Sequence, residues 1–456
     1  MSIREWLAIA MFGSFVLGLL SGFPVAWVLG GIAVLFTALA IVVERELGFH
    51  TGVDWSYASL VADRIWDLMD NWVLVALPMF VCMGLLLDRA GVAADLMRDV
   101  SRLFGRLRGG LAVSVALIGI VLAASTGIIG ASVVLLALLG LPPMMEARYD
   151  PAFAAGTVCA VGTLGILIPP SIMLVVYGGL TGMKETSVGN LFAAAIIPGV
   201  ILSSIYLAYV AIRCYINPKL GPPIPAEDRT ATAGQKIVMT LKSFVPPFGL
   251  ILVVMGTILA GVATPTEAAA LGCVGALILA LFNRKLNWQV FSQACDSTLR
   301  TTSMIMLLFV GGKLFSVVFL SMGGGDVVAD LLLGMDVNDY VILFIMMGVV
   351  FMMGMFIDWA AILLVVVPIF TPIAADLGFN PLWFAMLICV NLQTSFLTPP
   401  FGYALFYFKG VAPPEYTMAD IYKGILPFVV IQLVGLGLMV AFPQIITWLP
   451  SVFFGG

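Results

Sequence analysis

The 456-residue chain is 62% hydrophobic and only 10% charged, and its formal net charge is −4. Ordinary soluble domains are about half hydrophobic and about one quarter charged, so this composition excludes a typical water-soluble protein. No basic run interleaved with aromatic residues is present, which argues against nucleic acid as a partner. Apolar stretches long enough to cross a bilayer recur along the chain without a large hydrophilic block, and we predict one all-α integral membrane domain.

The first apolar stretch begins near Ala8 and is followed, after Pro24, by a second one. It lacks a small-residue cleavage pattern, so we interpret it as a retained span rather than a signal peptide. Five arginines lie within 89–108, and more basic residues within 213–242, whereas 44–70 is net acidic and 323–340 has no Lys or Arg. Because short cytoplasmic loops collect Lys and Arg, we expect both termini outside, ten full crossings and two hairpins.

An internal repeat relates the two halves of the chain. Prolines recur 230 residues apart, at 142 and 372, at 151 and 381, at 169–170 and 399–400. We therefore predict a first repeat over 1–215, a cytoplasmic linker over 216–239 and a second repeat over 240–456. Each half has an odd number of predicted crossings, so the two repeats are expected to be inverted in the membrane.

Two regions are too long for one span and are interrupted at their centres. The region 110–145 contains Ser125, Thr126 and Gly127 at its middle, and 341–373 contains Gly354 and Asp358 at the related position. Each of the two regions is followed closely by polar or charged residues. We predict a re-entrant helical hairpin for each region, with the two tips approached from opposite sides.

A broken helix is predicted after each hairpin, over 152–178 and over 382–409. Paired prolines remove two backbone donors and push the preceding residue out of the helical region. Open backbone is tolerated at membrane depth only where it lines a cavity or holds an ion. Inverted repeats with discontinuous helices indicate a midplane site in a secondary transporter, where carbonyl and hydroxyl oxygens suit sodium and helix N-termini suit an anion.

Four segments carry a resemblance to a known family: Gly-Ile-Leu-Ile-Pro-Pro-Ser at 165–171, Ala-Thr-Pro-Thr-Glu-Ala-Ala at 263–269, Phe-Ile-Asp at 356–358 and Leu-Thr-Pro-Pro-Phe-Gly at 397–402. The chain resembles the large membrane subunit of tripartite ATP-independent periplasmic (TRAP) transporters, within the ion-transporter superfamily of elevator carriers. The resemblance implies sodium-coupled import of a small organic anion, such as a 2-oxo acid, across the bacterial inner membrane. It also implies a periplasmic substrate-binding protein and a separate small four-helix membrane subunit as partners.

The same resemblance implies the site residues, with Na⁺ as the coupling ion, no transition metal and no organic cofactor. The first sodium site would comprise Ser125, Thr126, Gly127, Gly162, Thr163, Gly165 and Pro169. The second would comprise Gly354, Gln393, Thr394, Ser395, Thr398 and Pro399. Substrate would contact Asp358, Ser125 and Ser171.

Charged residues at membrane depth receive separate interpretations. Asp358 is predicted to hold sodium or to orient a substrate hydroxyl, because such a carboxylate is costly and usually functional; the alternative is a helix N-cap. Glu267 is either a first-turn charge at a helix N-terminus or a site residue. Lys313 either balances substrate charge or belongs to a scaffold pair. Basic residues spaced by four predict an amphipathic helix at the cytoplasmic surface, with Arg98, Arg102 and Arg106.

Three other classes of function remain as alternatives. A membrane enzyme is disfavoured because the chain has one histidine, His50, scattered cysteines and no carboxylate pair. A channel could use re-entrant loops and carbonyls, and saturable ion-coupled uptake would separate it from a carrier. The nearest rival is a stand-alone sodium/dicarboxylate symporter that needs no binding protein.

Overall fold

A computed structural model describes residues 2–49, 51, 53–54, 56–105, 107–223 and 233–455. In these residues the structure is helical and contains no strand. The first half contains α1 (Ile3–Leu19), α2 (Val25–Leu47), α3 (Ser56–Met69), a 3₁₀ turn (Trp72–Val75) leading into α4 (Ala76–Arg89), α5 (Val92–Phe104), α6 (Gly110–Thr126), α7 (Ile129–Glu146), α8 (Pro151–Thr163), a second 3₁₀ turn (Leu164–Ile166), α9 (Ile172–Thr181) and α10 (Val188–Ile216).

The second half repeats this order and adds a short last helix. It contains α11 (Ala233–Leu259), α12 (Pro265–Phe282), α13 (Trp288–Ser321), α14 (Gly324–Leu333), α15 (Asp339–Phe356), α16 (Trp359–Asp376), α17 (Pro381–Ser395), α18 (Tyr403–Val411), α19 (Met418–Ala441) and α20 (Gln444–Phe454). The predicted fold class, an all-α membrane protein with inverted repeats, two helical hairpins and two broken helices, is confirmed.

Reciprocal helix packing reflects the inverted repeat. Helix α2 packs against α13, and α4 packs against α12. By repeat position α2 corresponds to α12 and α4 to α13, so the two contacts are related by exchanging the halves. Both use small residues for close approach: Gly311 of α13 lies against the Ala26 carbonyl, and Gly272 of α12 lies against the Met83 side chain.

Ten helices in the described ranges are long and apolar enough to cross a membrane. They are α2, the 3₁₀ turn with α4, α7, α10, α11, α12, α13, α15, α16 and α19. This set differs from the ten predicted crossings, because it includes three hairpin arms and omits α1 and the broken helices, whose pieces are short. The chain is a multi-pass membrane protein, and the assignment of each crossing stays a prediction.

The hairpins run from Gly110 to Glu146 and from Asp339 to Asp376. Helix α11 begins at Ala233, inside the segment predicted as linker over 216–239. The acidic loop predicted over 44–70 contains helix α3. His50 and Arg106, both named in the sequence analysis, lie outside the described residues.

Candidate functional site

Hairpin 1 is formed by α6 and α7, which are joined by two non-helical residues. Gly127 ends α6 with φ +61°, a left-handed conformation that glycine adopts without steric cost, and Ile128 is extended. The Gly127 amide donates to the Ala123 carbonyl at 3.3 Å. The tip therefore presents backbone and the N-terminus of α7. The side chains of Ser125 and Thr126, both predicted as ligands, lie outside the described part of the chain.

Opening 1 separates α8 from α9. A 3₁₀ turn follows Thr163, and a cis bond joins Pro169 to Pro170 before Ser171, the N-cap of α9. Thr163 Oγ1 donates to the Ala160 carbonyl at 2.8 Å, and Ser171 Oγ donates to the Ile166 carbonyl. Each hydroxyl donates its only proton to a backbone carbonyl. Its oxygen lone pairs therefore remain free to accept a hydrogen bond or to bind a cation.

Opening 2 has the same construction between α17 and α18, with a cis bond between Pro399 and Pro400. Three hydroxyls here donate to carbonyls of the preceding turn: Thr394 to Val390 at 3.1 Å, Ser395 to Leu392 at 2.7 Å, and Thr398 to Thr394 at 2.9 Å. Each oxygen again retains acceptor lone pairs. The openings are thus lined with hard oxygen atoms of the type that alkali cations bind.

Each hairpin lies directly against the opening of its own repeat. A Cβ placed on Gly127 would lie 3.3 Å from the Ile172 amide nitrogen, and one on Gly165 would lie 3.3 Å from Ser132 Oγ. In the second repeat, Gly354 lies against the Ser395 hydroxyl. At Gly354 a side chain would prevent this contact. Hairpin 1 therefore contacts opening 1, and Gly354 contacts Ser395 of opening 2, while the two sodium sites stay predictions.

The two openings meet at one pair of repeat-related residues. Gln393 Nε2 lies 3.5 Å from Thr163 Oγ1, and these positions are 230 residues apart. Contact between equivalent residues places them beside the pseudo-twofold axis of the repeat. Gln393 is fully buried, and its Oε1 has no hydrogen-bond partner among the residues the structure describes. A buried unpaired amide oxygen is costly, and here it is available to a cation.

A small cleft of about 80 Å³ lies where the two hairpin tips approach α13. Hairpin 1 contributes 127–130, hairpin 2 contributes Asp358 and Trp359, and the broken helices contribute Ile172, Tyr403 and Tyr407. The opposite wall comes from α13. Its lining residues are Thr301, Met304 and Ile305. The cleft thus combines both repeats with one long helix from outside the hairpins and broken helices.

Four helices begin at this cleft. Ile129 begins α7, Ile172 begins α9, Trp359 begins α16 and Tyr403 begins α18. Each N-terminus carries partial positive charge and amide donors without helical partners. Among the described lining residues there is no Lys, Arg or His. The helix termini therefore supply the positive potential that an anion requires.

Asp358 provides the carboxylate of the cleft. It is half-buried, it is the N-cap of α16, and it accepts a hydrogen bond from the Ala360 amide at 3.3 Å. The cap predicted as an alternative is therefore present, and the same side chain also lines the cleft. One carboxylate oxygen bonds the helix while the group remains accessible to a cation or a substrate hydroxyl.

Tyr403 and Tyr407 complete the polar wall of the cleft, and the sequence analysis did not predict either of them as a site residue. Their rings lie 5.7 Å apart, and the Tyr407 ring covers Gly130 at the tip of hairpin 1. Tyr403 begins α18 next to opening 2, and Tyr407 lies one turn further along. Neither belongs to the paired prolines or to the hydroxyl-bearing residues before them, so the sequence analysis did not select them as site residues. Thr301 of α13 was missed for the same reason, since only the tertiary fold brings α13 to the tips.

Three other predicted residues lie away from the cleft lining. Ser171 is buried, and its hydroxyl braces opening 1 beside Ile172. Glu267 forms a capping box with Thr264, whose amide donates to Glu267 Oε2 at 2.8 Å. Lys313 is half-buried in the middle of α13.

Comparison with known families gives one match over nearly the whole chain. The model for the tripartite ATP-independent periplasmic transporter, DctM component, matches residues 12–445. The C4-dicarboxylate TRAP transporter large permease protein DctM of Pseudomonas aeruginosa is 31% identical over 394 residues, which are 86% of this chain and 89% of that protein. The sialic acid TRAP transporter large permease protein SiaM of Vibrio cholerae is 30% identical over 442 residues, 96% and 97% of the two chains.

Two solved structures share the fold. The YdaH transporter of Alcanivorax borkumensis matches with a TM-score of 0.62 and 16% identity, covering 96% of this chain and 99% of that one. MtrF of Neisseria gonorrhoeae, from a class of antimetabolite efflux pumps, matches with a TM-score of 0.54 and 14% identity, covering 89% of this chain and 87% of that one. At these identities the likeness extends to the fold alone.

Proposed function

Because the chain belongs to the DctM family of tripartite ATP-independent periplasmic transporters, as a large permease subunit of the bacterial inner membrane, we propose that it imports a small organic anion coupled to Na⁺. The substrate class we propose is a carboxylate such as a 2-oxo acid or a related acid. The relatives are transporter permeases rather than enzymes.

The observation that carries the anion proposal is the convergence of four helix N-termini on one cleft. A carboxylate placed there would accept hydrogen bonds from free amides and would be stabilised by the helix dipoles. The hydroxyls of Tyr403 and Tyr407 add donors on one side. Two of the relatives are named for carboxylic acids, C4-dicarboxylate and sialic acid, which agrees with this chemistry.

The oxygen-lined openings support sodium as the coupling ion. Opening 1 would supply Thr163, hairpin 1 would supply backbone carbonyls near Gly127, and opening 2 would supply Thr394, Ser395 and Thr398. The unpaired Oε1 atom would come from Gln393, whose side-chain amide nitrogen contacts Thr163. Cations bound beside the cleft would offset the repulsion between Asp358 and an anionic substrate, so that ion and substrate binding would favour each other.

The position of the cleft supports an elevator mechanism. One wall belongs to α13, and the other walls belong to the hairpins and broken helices. We assign α1–α4 and α11–α13 to a fixed scaffold, and the hairpins with both broken helices to a moving transport body. Displacement of that body along the scaffold would carry the loaded cleft from one side of the membrane to the other.

The tripartite family description implies two partners, a periplasmic binding protein that delivers substrate and a small membrane subunit. The isethionate TRAP transporter permease protein DctMQ of Oleidesulfovibrio alaskensis matches 98% of this chain, which corresponds to only 66% of that protein. We propose that this chain assembles with a small membrane subunit and with a periplasmic binding protein.

Uptake into proteoliposomes containing this chain and its small subunit tests the proposal. Radiolabelled 2-oxo acids and C4-dicarboxylates would be supplied with or without a sodium gradient and with or without the binding protein. We expect saturable uptake that requires both. Uptake without the binding protein would identify a stand-alone symporter, uptake independent of sodium would remove the ion coupling, and unsaturable flux would contradict the carrier.

A further inference from the structure

A second cleft, distinct from the transport site, lies between the amphipathic helix α5 and the helices α11 and α12. Its volume is about 400 Å³. One part is polar, with Asp95, Arg98, Lys242, Ser243 and Asn283, and the other part is apolar. The apolar lining residues are Val92, Pro246, Pro247, Leu279 and Phe282. Such an amphipathic cavity on a membrane protein matches a lipid headgroup with its attached chains.

The charges of the cleft leave one cation available. Arg98 pairs with Asp95 at 2.9 Å and with Asp99 at 3.3 Å, and Lys285 pairs with Asp95 at 3.4 Å. Lys242 is exposed and, within the described residues, forms no ion pair. The three cations Arg98, Lys242 and Lys285 therefore face only two carboxylates, those of Asp95 and Asp99. The excess positive charge is at Lys242. An anionic ligand would complete the pairing.

The backbone of α11 adds hydrogen-bond acceptors at the same place. Helical partners for the Lys242 and Ser243 carbonyls would be the amides of residues 246 and 247, and both are prolines without an N–H group. The carbonyls of Lys242 and Ser243 therefore lack their regular helical hydrogen-bond donors, and both carbonyls lie close in sequence to the Lys242 ammonium. A ligand that joins a phosphate to hydroxyl donors satisfies the ammonium and the carbonyls together.

The surroundings place this cleft at a bilayer surface. Next to the polar part, Leu241 is 52% exposed, Val245 is 55% exposed and Phe282 is 79% exposed. Large apolar side chains exposed to this degree face acyl chains rather than water in a membrane protein. The concentration of Lys and Arg around α5 and the end of α12 assigns the surface to the cytoplasmic leaflet, where anionic lipids bind basic pockets.

We propose that this cleft binds an anionic glycerophospholipid of the phosphatidylglycerol type. Its phosphate lies against Lys242, its glycerol hydroxyls donate to the carbonyls of Lys242 and Ser243, and its acyl chains cover Pro246 and Phe282. Helix α5 connects scaffold helix α4 with hairpin 1 and is held to α11 by the hydrogen bond of Ser243 with Asp99. The lipid therefore lies along the first half of α5, next to the contact of this helix with α11.

Native mass spectrometry of the purified full chain tests the site. Phosphatidylglycerol, phosphatidylethanolamine and phosphatidylcholine with identical acyl chains would be titrated onto the wild type, Lys242→Gln and Lys423→Gln. Lys423 is an exposed lysine of α19 and serves as the matched control. We expect preferential retention of phosphatidylglycerol and about fivefold weaker retention by Lys242→Gln, the loss of one basic residue beside an anionic headgroup.

The control and a competition arm make the result decisive. Equal retention by Lys242→Gln and Lys423→Gln, or no preference for phosphatidylglycerol, would overturn the proposal. Inorganic phosphate is the competing probe: if millimolar phosphate displaces the lipid, the cleft is a free-phosphate site and the lipid assignment fails. Weaker retention by Phe282→Ser with unchanged phosphate binding would support the acyl-chain contact, and unchanged lipid retention by that variant would remove it.

Discussion

Asp358 combines two roles that are usually assigned to different residues. As the N-cap of α16 it satisfies the Ala360 amide, and as a cleft residue it places a carboxylate between two hairpin tips. A cap needs only a short polar acceptor, and asparagine serves as well as aspartate. A cation site needs the charge. The two roles can therefore be separated by one conservative substitution.

For Asp358→Asn we expect a folded protein with unchanged thermal stability and at least about tenfold slower sodium-driven uptake, since the cap is kept and the charge is lost. Asp358→Ala should also lose about 0.5 to 2 kcal/mol of stability through the missing cap. Thermal unfolding in detergent and uptake as a function of sodium concentration measure the two effects.

The matched control is Asp150→Asn. Asp150 caps α8 by accepting from the Phe153 amide at 2.8 Å, and it does not line the cleft. Its amide variant should transport normally. If Asp358→Asn shows the uptake and sodium dependence of the wild type, the carboxylate is a cap alone and its site role is wrong.

At the scale of the elements, each hairpin reaches its opening through a glycine. Gly354 in the last turn of α15 faces the Ser395 hydroxyl at the end of α17. A methyl group at Gly354 would overlap both the Ser395 hydroxyl oxygen and the Ser395 Cβ, which would lie 2.7 Å from the added carbon. The hairpin would have to move away from the opening, and the oxygen atoms proposed to hold sodium would separate.

We expect Gly354→Ala to lower stability by about 1 to 3 kcal/mol, as overpacking does, and to raise the sodium concentration needed for half-maximal uptake. Gly348→Ala is the control in the same helix, because a Cβ at that position meets no atom within 4 Å. The control should be neutral or slightly stabilising. Equal sodium dependence of the two variants would separate Gly354 from the ion site.

For the whole molecule, the proposed elevator motion requires that contacts between scaffold and transport body break in each cycle. One such contact joins the first 3₁₀ turn to α9, where Asn71 Nδ2 donates to the Gly179 carbonyl at 3.1 Å. Another joins α13 to α16, where Ser316 Oγ donates to the Leu364 carbonyl at 2.8 Å. Both cross the boundary that we assign to the moving interface.

Cross-linking across this boundary should stop transport. With the six native cysteines replaced, Leu74→Cys and Gly179→Cys place thiols next to each other, since a Cβ on Gly179 lies 3.5 Å from Leu74 Cγ. Mercury cross-linking of this pair should abolish uptake reversibly, because it joins the scaffold to the transport body. Uptake before and after treatment with a reductant is the measurement.

The control pair is Leu250→Cys with Gly275→Cys, which has the same 3.5 Å spacing but joins α11 to α12 within the scaffold. Cross-linking there should leave uptake intact. Full transport by the protein linked at residues 74 and 179 would rule out relative motion at that contact.

Much of the architecture was predictable because it depends on local chemistry. Paired prolines break helices wherever they occur, so the openings at 169–170 and 399–400 were located within a few residues. The start of α12 was recognisable from Pro265 and Glu267, and Thr264 forms a capping box with Glu267. The linker boundary was placed too late because the polar start of α11 resembles a loop in composition.

What the sequence by itself determined was the membrane class, the inverted repeat, the hairpins and the broken helices, since hydropathy, proline and glycine act within a few neighbouring residues. Only the tertiary structure decided that Thr301, Tyr403 and Tyr407 share a cleft with Asp358, and that Thr163 meets Gln393. Those contacts join residues up to about half the chain apart. They arise from packing between helices whose apolar sequences fit a lipid-facing surface and a protein-facing surface equally well, so no local pattern distinguishes them.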